Sequence, residues 1–533
     1  MRNNFLCLLA LCASVAQAQQ PSSCKLPLKP VDVSNPRTVV GTGSPSSCSE
    51  DGLQAAIAAG GVITFNCGAQ PVVIPITSQH EFRNDMDTVM DGGNKITLQG
   101  NGSTRLFLAK SGDAPWHGGT PPYYQSTHTA VTLQNITLAN GHSTGTPIPA
   151  LPPGAPPYCS QGTEIDGGGG VIYVQDMVLH VINSTFINNH SAPLGPDVAG
   201  GGVYALGSVD VTIQGSTFQN NDGANGGAVG MLESNFKSVN NVYQSNQALG
   251  HDGNHNKPGS GCPLHLNQYQ VGDGGSAGAV YLDGQDTNGP FICGDLFTQN
   301  HGGVNALGGA VLGAGDPGIQ DLTITQSEFD GNSNTNGGAV YVYQNNLQIT
   351  RSTFWHNTAN YGGALQGNKT TITAVNNTFS GNSASVTIGV LALFSSSGVL
   401  LNNTIAGNQA PHYPVLFSGS ASNPAPSLVL SNNLFVSNSP DPHLSCYASF
   451  PGGGNMLWPA SALSPAPEGG CAANELTADP QLGALGYNGG FTQTMPIPSK
   501  SRAAKFAHSC PANDERGVAR PNPCASGAYE PAQ

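Results

Sequence analysis

The sequence predicts an all-β fold: a single-stranded, right-handed parallel β-helix with a helical cap at its N-terminal end and a capping module at its C-terminal end. Three observations predict it. A Phe-x-x-Asn frame recurs: FINN ends at Asn189, FQNN at Asn221, YQSN at Asn246, FTQN at Asn300, FDGN at Asn332, FWHN at Asn357, FSGN at Asn382, IAGN at Asn408 and FVSN at Asn438. A Gly-Gly-small-apolar step keeps pace, in GGGV ending at Val203, GGAV at Val229, AGAV at Val280, GGAV at Val311 and at Val340, and GGAL at Leu365. Between them lie short apolar–polar alternations such as VYVY and LQIT, broken by Gly or Asn and without a helical period.

One unit spans about 25 to 32 residues, with one longer step between Asn246 and Asn300 that holds an insertion. Such a unit cannot bury its own apolar face, but stacked copies can. Each coil then rises roughly 4.8 Å. Phe186, Phe218, Tyr243, Phe297, Phe329, Phe354 and Phe379 are expected to stack as an internal column, continued by Ile405 and Phe435. The frame's Asn residues should form a ladder at one corner, since Asn tolerates the left-handed conformation and its amide bonds its own turn and the next coil. The Gly pairs mark the next corner, where positive φ or close packing excludes a Cβ.

The ends differ from the repeat. Residues 1–18, MRNNFLCLLALCASVAQA, have a basic residue, a short apolar run and an Ala-Gln-Ala end, the pattern of a secretory signal peptide. Residues 19–60 form an N-terminal segment and cap: Ser47 to Glu50 resembles a capping box, and Leu53, Ala56 and Ile57 make one apolar stripe of a short helix. The β-helix is expected over 61–445 and the C-terminal cap over 446–533. No later segment approaches the ~20 apolar residues of a membrane helix, so no membrane insertion is expected.

Composition narrows function. Lys and Arg number 17 against 31 acids, a net charge of −14, or −15 once Arg2 leaves with the signal. This disfavours nucleic acid and anionic membranes, which need basic patches. Twelve cysteines become ten after the signal, an even number suited to disulfides in an oxidising compartment. Nearest-neighbour pairing predicts Cys48–Cys67, Cys262–Cys293, Cys446–Cys471 and Cys510–Cys524, leaving Cys24 to Cys159. A secreted or cell-surface monomer is expected.

The GGA-apolar and Phe-x-x-Asn pair, over Gly168 to Asn438, resembles the repeats of polymorphic outer-membrane proteins and related bacterial β-helix proteins. That resemblance implies a pectin-lyase-like solenoid and says little about activity. A second resemblance lies at the C-terminus. ADPQLGALGYNGGFTQT (Ala478 to Thr494), DERGVARP (Asp514 to Pro521) and ASGAYE (Ala525 to Glu530) are similar to the choice-of-anchor Q module that follows such helices and often precedes a surface anchor.

In a solenoid, repeated positions hold the fold and departures hold the function. Inserts concentrate in the N-terminal half, at 112–129, 142–166 and 248–276, and the last two leave one corner and should wall a groove. The residue after each ladder Asn is His190, Asp222, Gln247 and His301 beside the longest insert, then the blander Ser333, Thr358 and Ser383. His190, Asp222 and His301 are candidates for acid–base chemistry on a glycoside. Glu233 and Asp283, one turn later in two coils, are a carboxylate pair within glycosidase range if those coils are adjacent. His251, Asp252 and His255, with His265 and Asp273, are candidates for substrate contact; a metal there would need a more rigid frame than a Gly-rich loop. No cofactor is expected, although Asp- and Asn-rich turns offer oxygen ligands suited to Ca²⁺. Between Val131 and Asn438 the only basic side chains are Lys237, Lys257, Arg351 and Lys369, so a lyase would need a His base. Two functions follow: a secreted protein that binds or cleaves an extracellular polysaccharide, as hydrolase or lyase, or a non-catalytic adhesin.

Overall fold

The computed structural model describes residues 24–111, 128–148, 150, 153–155, 159, 161–253, 272–284, 289–315, 320–413, 415–419, 428–440, 446, 449–459, 471–472 and 475–532. The chain winds as a right-handed parallel β-helix. Among the described residues three long sheets form its sides. The first has 13 strands, from Thr38–Val40 to Leu428–Ser431. The second has 11, from His80–Glu81 to Leu416–Gly419, and the third has 14, from Val72–Ile76 to Leu476–Thr477. A typical coil runs Ile172–Gln175, Val178–Ile182 and Thr185–Ile187, one strand per sheet, and each pairs in parallel with its counterpart one coil on. The stacking continues past residue 445, through Met456–Trp458 to Leu476–Thr477.

The aromatic column forms as the repeat predicts. From Phe186 to Phe379 successive rings stack with centroids 4.6–5.2 Å apart and planes within 16°. In-register pairing forces this: Phe329 lies opposite Phe297 on one side and Phe354 on the other. The Asn ladder also forms. Asn332 Nδ2 donates to Asn357 Oδ1 (3.0 Å) and to Phe297 O (3.0 Å), and its own Oδ1 accepts from the Asn300 backbone N–H and side-chain amide. The same pattern links Asn189 to Asn438. One expectation changes: the left-handed residue is the one before the ladder Asn, such as Asn188, Ser245, Gln299 or His356, because the tight turn precedes the side chain that bridges coils. Of each Gly pair the first takes positive φ, as at Gly337 (φ 66°), and the second meets the next coil; a Cβ on Gly338 would lie 2.0 Å from Gly363 O.

The cap helix α1 spans Glu50–Ala59 and buries Leu53, Ala56 and Ile57. Its N-cap is Ser49, which accepts from Gly52 N. Glu50 therefore does not close a box with Ser47; its carboxylate accepts from Thr77 and Ser78 instead. Among the described residues no helix is long and apolar enough to cross a membrane.

Both chain ends depart from expectation. The disulfides Cys48–Cys67, Cys446–Cys471 and Cys510–Cys524 form as predicted. Cys293 is bonded to Cys24, not to Cys262, and Cys24 is not bonded to Cys159. Cys159 is itself in a disulfide, and Cys262 lies outside the described residues. The reason for the change is a strap. Residues from Cys24 run along one edge of the solenoid, where the carboxamides of Gln134, Gln214 and Asn240 each exchange two hydrogen bonds with the backbone of Val31, Leu28 and Cys24. This delivers Cys24 to Cys293, far along the axis, which nearest-neighbour pairing cannot foresee. Cys24→Ala is expected to leave the coils folded while the strap frays. Amide exchange at Leu28 and Val31 should quicken and protease should cut near residue 28; unchanged exchange there would mean the carboxamides hold the strap unaided.

The C-terminal module does not simply plug the end of the solenoid. It folds back along the outside of the third sheet. Tyr487 Oη and Gln493 N donate to Glu328, the Glu515 carboxylate accepts from Thr353, Thr378 and Thr492, and Arg351 Nε donates to Glu515 O. Asn376, Asn402 and Asn432 donate to module carbonyls on the same edge that carries the strap. The two motifs DERGVARP and GAYE meet through the buried Arg520–Glu530 pair (3.0 Å) and through Glu530 N, which donates to Asp514 Oδ2 (2.9 Å), while Arg516–Asp514 (2.7 Å) braces the first motif from within. These residues hold the module together.

Candidate functional site

The corner row assembles. In successive coils His142, His190, Asp222, Gln247, His301, Ser333, Thr358, Ser383, Gln409 and Ser439 pair edge to edge. The cause is the ladder: each side chain follows a buried Asn that fixes its coil's height, or, at His142, a Gly. Every member has a hydrogen-bonding group.

The structure joins some of the sequence candidates and separates others. His190 Nδ1 lies 2.8 Å from Asp222 Oδ2, and this hydrogen bond raises the His190 pKa above the ordinary imidazole value, outweighing partial burial. His301 does not join them. The Gln247 coil intervenes, His301 Nδ1 contacts Ser333 Oγ (2.8 Å), and burial lowers its pKa. The partner on the other side of His190 is His142, with ring centroids 5.8 Å apart. Sequence reasoning missed His142 because its coil lacks the Phe-x-x-Asn frame. The signal was present: LANGH (Leu138–His142) aligns with FINNH (Phe186–His190), Gly replacing the ladder Asn. Gly141 is required there, since a Cβ would lie 2.4 Å from Gly170 O. His142 Nδ1 is 2.8 Å from Gly102 O. Together with Gln99, Gly100, Asn101, Gly102 and Asn140, His142 and His190 line an open depression of about 580 Å³.

Glu233 and Asp283 do stand in adjacent coils, for Leu232 pairs with Asp283 and Glu233 N donates to Asp283 O (2.9 Å). They lie at the far end of the second sheet's strands, away from the depression. Glu233 is 8 % exposed, and Asp283 accepts from Tyr281 Oη (2.6 Å).

The described segments that lead from the corner row to the second sheet, Ile165 of the 142–166 insert among them, pack over that sheet. That sheet's outer face is aromatic, with Tyr173, Tyr204, Tyr281 and Tyr341 buried beneath Ala199, Ala277, Ile165 and Leu307. Covering these rings removes apolar area from water, which draws the loops down. One knot fastens them. His251 Nδ1 lies 3.0 Å from Asp252 Oδ2 and Nε2 lies 3.2 Å from Asp273 Oδ2. Asp273 also accepts from Gln161 N (2.6 Å), and Asp252 from Asn305 (2.9 Å). Burial raises the Asp273 pKa. Both ring nitrogens of His251 face carboxylates of the fold, so this pair ties loops. His255 and His265 lie outside the described residues.

Fold and site together define the class: a disulfide-bonded right-handed parallel β-helix protein. Residues 297–455 match the family model described as a right-handed β-helix region. Comparison with curated proteins gave no match.

Proposed function

We propose that the protein is extracellular and binds a polysaccharide laid along the corner row, with any cleavage occurring at the depression formed by His142 and His190. The observation that carries this reading is the row itself: successive coils, each presenting one hydrogen-bonding side chain at a spacing of roughly 4.8 Å. A track of hydroxyl, carboxamide and imidazole groups suits a neutral or weakly acidic polymer rich in hydroxyls. The net charge of −14 and the scarcity of Lys and Arg oppose a strongly polyanionic ligand. The disulfides and the signal-like N-terminus support an extracellular setting.

The test is retention on a panel of neutral and uronic polysaccharides by affinity electrophoresis, with reducing ends and unsaturated products followed in parallel. Gln247→Ala and His301→Ala should each weaken retention about fivefold, the loss of one hydrogen bond of about 1 kcal/mol. Product release abolished by His190→Ala would mark cleavage; retention without products would mark a binder. Adhesion to cells or glycans that survives all three substitutions would sink this reading and leave the adhesin acting through another surface.

A further inference from the structure

The two imidazoles of the depression each have one nitrogen engaged and one directed elsewhere. A carbonyl oxygen only accepts, so His142 Nδ1, at 2.8 Å from Gly102 O, carries the hydrogen. A carboxylate likewise accepts, so His190 Nδ1 donates to Asp222 Oδ2. In both rings Nε2 is the nitrogen left for a ligand, and both rings line the same open depression. An imidazole held through its second nitrogen by a backbone carbonyl or a carboxylate is oriented for a cation, and the carboxylate makes it a better donor.

The spacing agrees. Two imidazoles sharing one ion at Zn–N bonds of about 2.0–2.1 Å place their ring centroids roughly 5–6 Å apart. Here the separation is 5.8 Å. The rest of the lining supplies the carboxamides of Gln99 and Asn140, the Asn101 oxygen being taken by Ser103, and no Lys or Arg, and the Asp222 carboxyl stands behind His190.

We infer that His142 and His190 form a binding site for a divalent transition-metal ion of the Zn²⁺ class. Among the described residues no three His, Cys, Asp or Glu side chains gather as a metal site. The ion is therefore held by two nitrogens, with carboxamide oxygen and water completing its shell, and exchanges with solvent, unlike a closed structural zinc. Any proton on Nε2 leaves to solvent as the ion takes its lone pair, so affinity falls in acid. Ni²⁺ and Cu²⁺ should bind more tightly than Co²⁺. This site stands independently of the glycan reading.

The experiment is calorimetric titration of the full-length, tag-free protein with Zn²⁺, and with Co²⁺ followed by visible absorption, with circular dichroism confirming that each variant is folded. One saturable ion per chain is expected. His142→Ala and His190→Ala should each weaken it tenfold or more, and Asp222→Asn, which keeps both rings, about tenfold. His356→Ala, an exposed imidazole elsewhere, should leave it unchanged. Absence of saturable binding, or an affinity equal to the parent's in either depression variant, would overturn the site. Glycan retention measured in chelator tests the polysaccharide reading separately.

Discussion

Asn332→Asp is expected to destabilise the solenoid by about 3–5 kcal/mol, the cost of an uncompensated buried charge. Asn332 is fully buried, and its amide donates to both Phe297 O and Asn357 Oδ1 at 3.0 Å. A carboxylate puts an oxygen without a hydrogen against those two acceptors. Protonation restores one donor but not both. Asn360→Asp places the same charge in solvent, where Asn360 Oδ1 merely accepts from Ser385 Oγ, and should change stability by less than about 0.5 kcal/mol. Urea midpoints of the two variants and the parent decide the matter. Equal midpoints would mean that the coils are held by the aromatic column and sheets alone. Coils contact only their neighbours, so the break should also appear as early local exchange between the Asn300 and Asn357 coils.

The second large effect is a loss of stability as pH rises. Burial pushes Glu328 up to about 7, although Tyr487 and Gln493 donate to it, and pushes Glu515 well above the usual carboxyl range despite three Thr hydroxyls. Both lie where the C-terminal module docks. A carboxyl whose folded pKa exceeds its unfolded value near 4.5 binds more protons folded than unfolded. Its proton-linked stability is therefore greatest below pH 4.5 and declines as pH rises through the window to about 7, after which the Glu328 share is lost. That share is on the order of 3 kcal/mol. Glu515 extends the decline further. Glu328→Gln keeps an acceptor and removes the titration, so the difference in urea midpoint between pH 5 and pH 8 should shrink, with a further reduction on adding Glu515→Gln. A slope unmoved by both changes would place the pH dependence elsewhere, with Asp295 and Glu475, also pushed up to about 7 by burial, the next to substitute.

The candidate site was only half legible from sequence. His190 and Asp222 could be found because both follow an Asn in the repeating frame, and the frame measures coil height. His142 escapes because Gly141 interrupts that frame; His301 stands in the same row with Gln247 between, but only the folded coil shows that its Nδ1 turns to Ser333 and away from His190. Glu233 and Asp283 are adjacent as expected, but only packing shows that Glu233 is buried and Asp283 is bonded to Tyr281. The sequence marks His251 and Asp252, with Asp273 nearby, for substrate contact, and only the folded loops show both His251 nitrogens facing the Asp252 and Asp273 carboxylates.

What the sequence determined by itself is the periodic part: the three strands per coil, the stacked Phe column, the Asn ladder and the cap helix with its buried stripe. Each follows from one residue type recurring at a fixed step, so that identical neighbours meet one coil apart whatever else the chain does. Tertiary structure alone decided the non-periodic part: the strap that carries Cys24 to Cys293, the module that folds back onto Glu328 and Thr353, and the loops that bring Asp273 to His251. Those contacts join segments that have no shared period. Their partners are chosen by where insert lengths and exposed apolar faces let the chain come to rest.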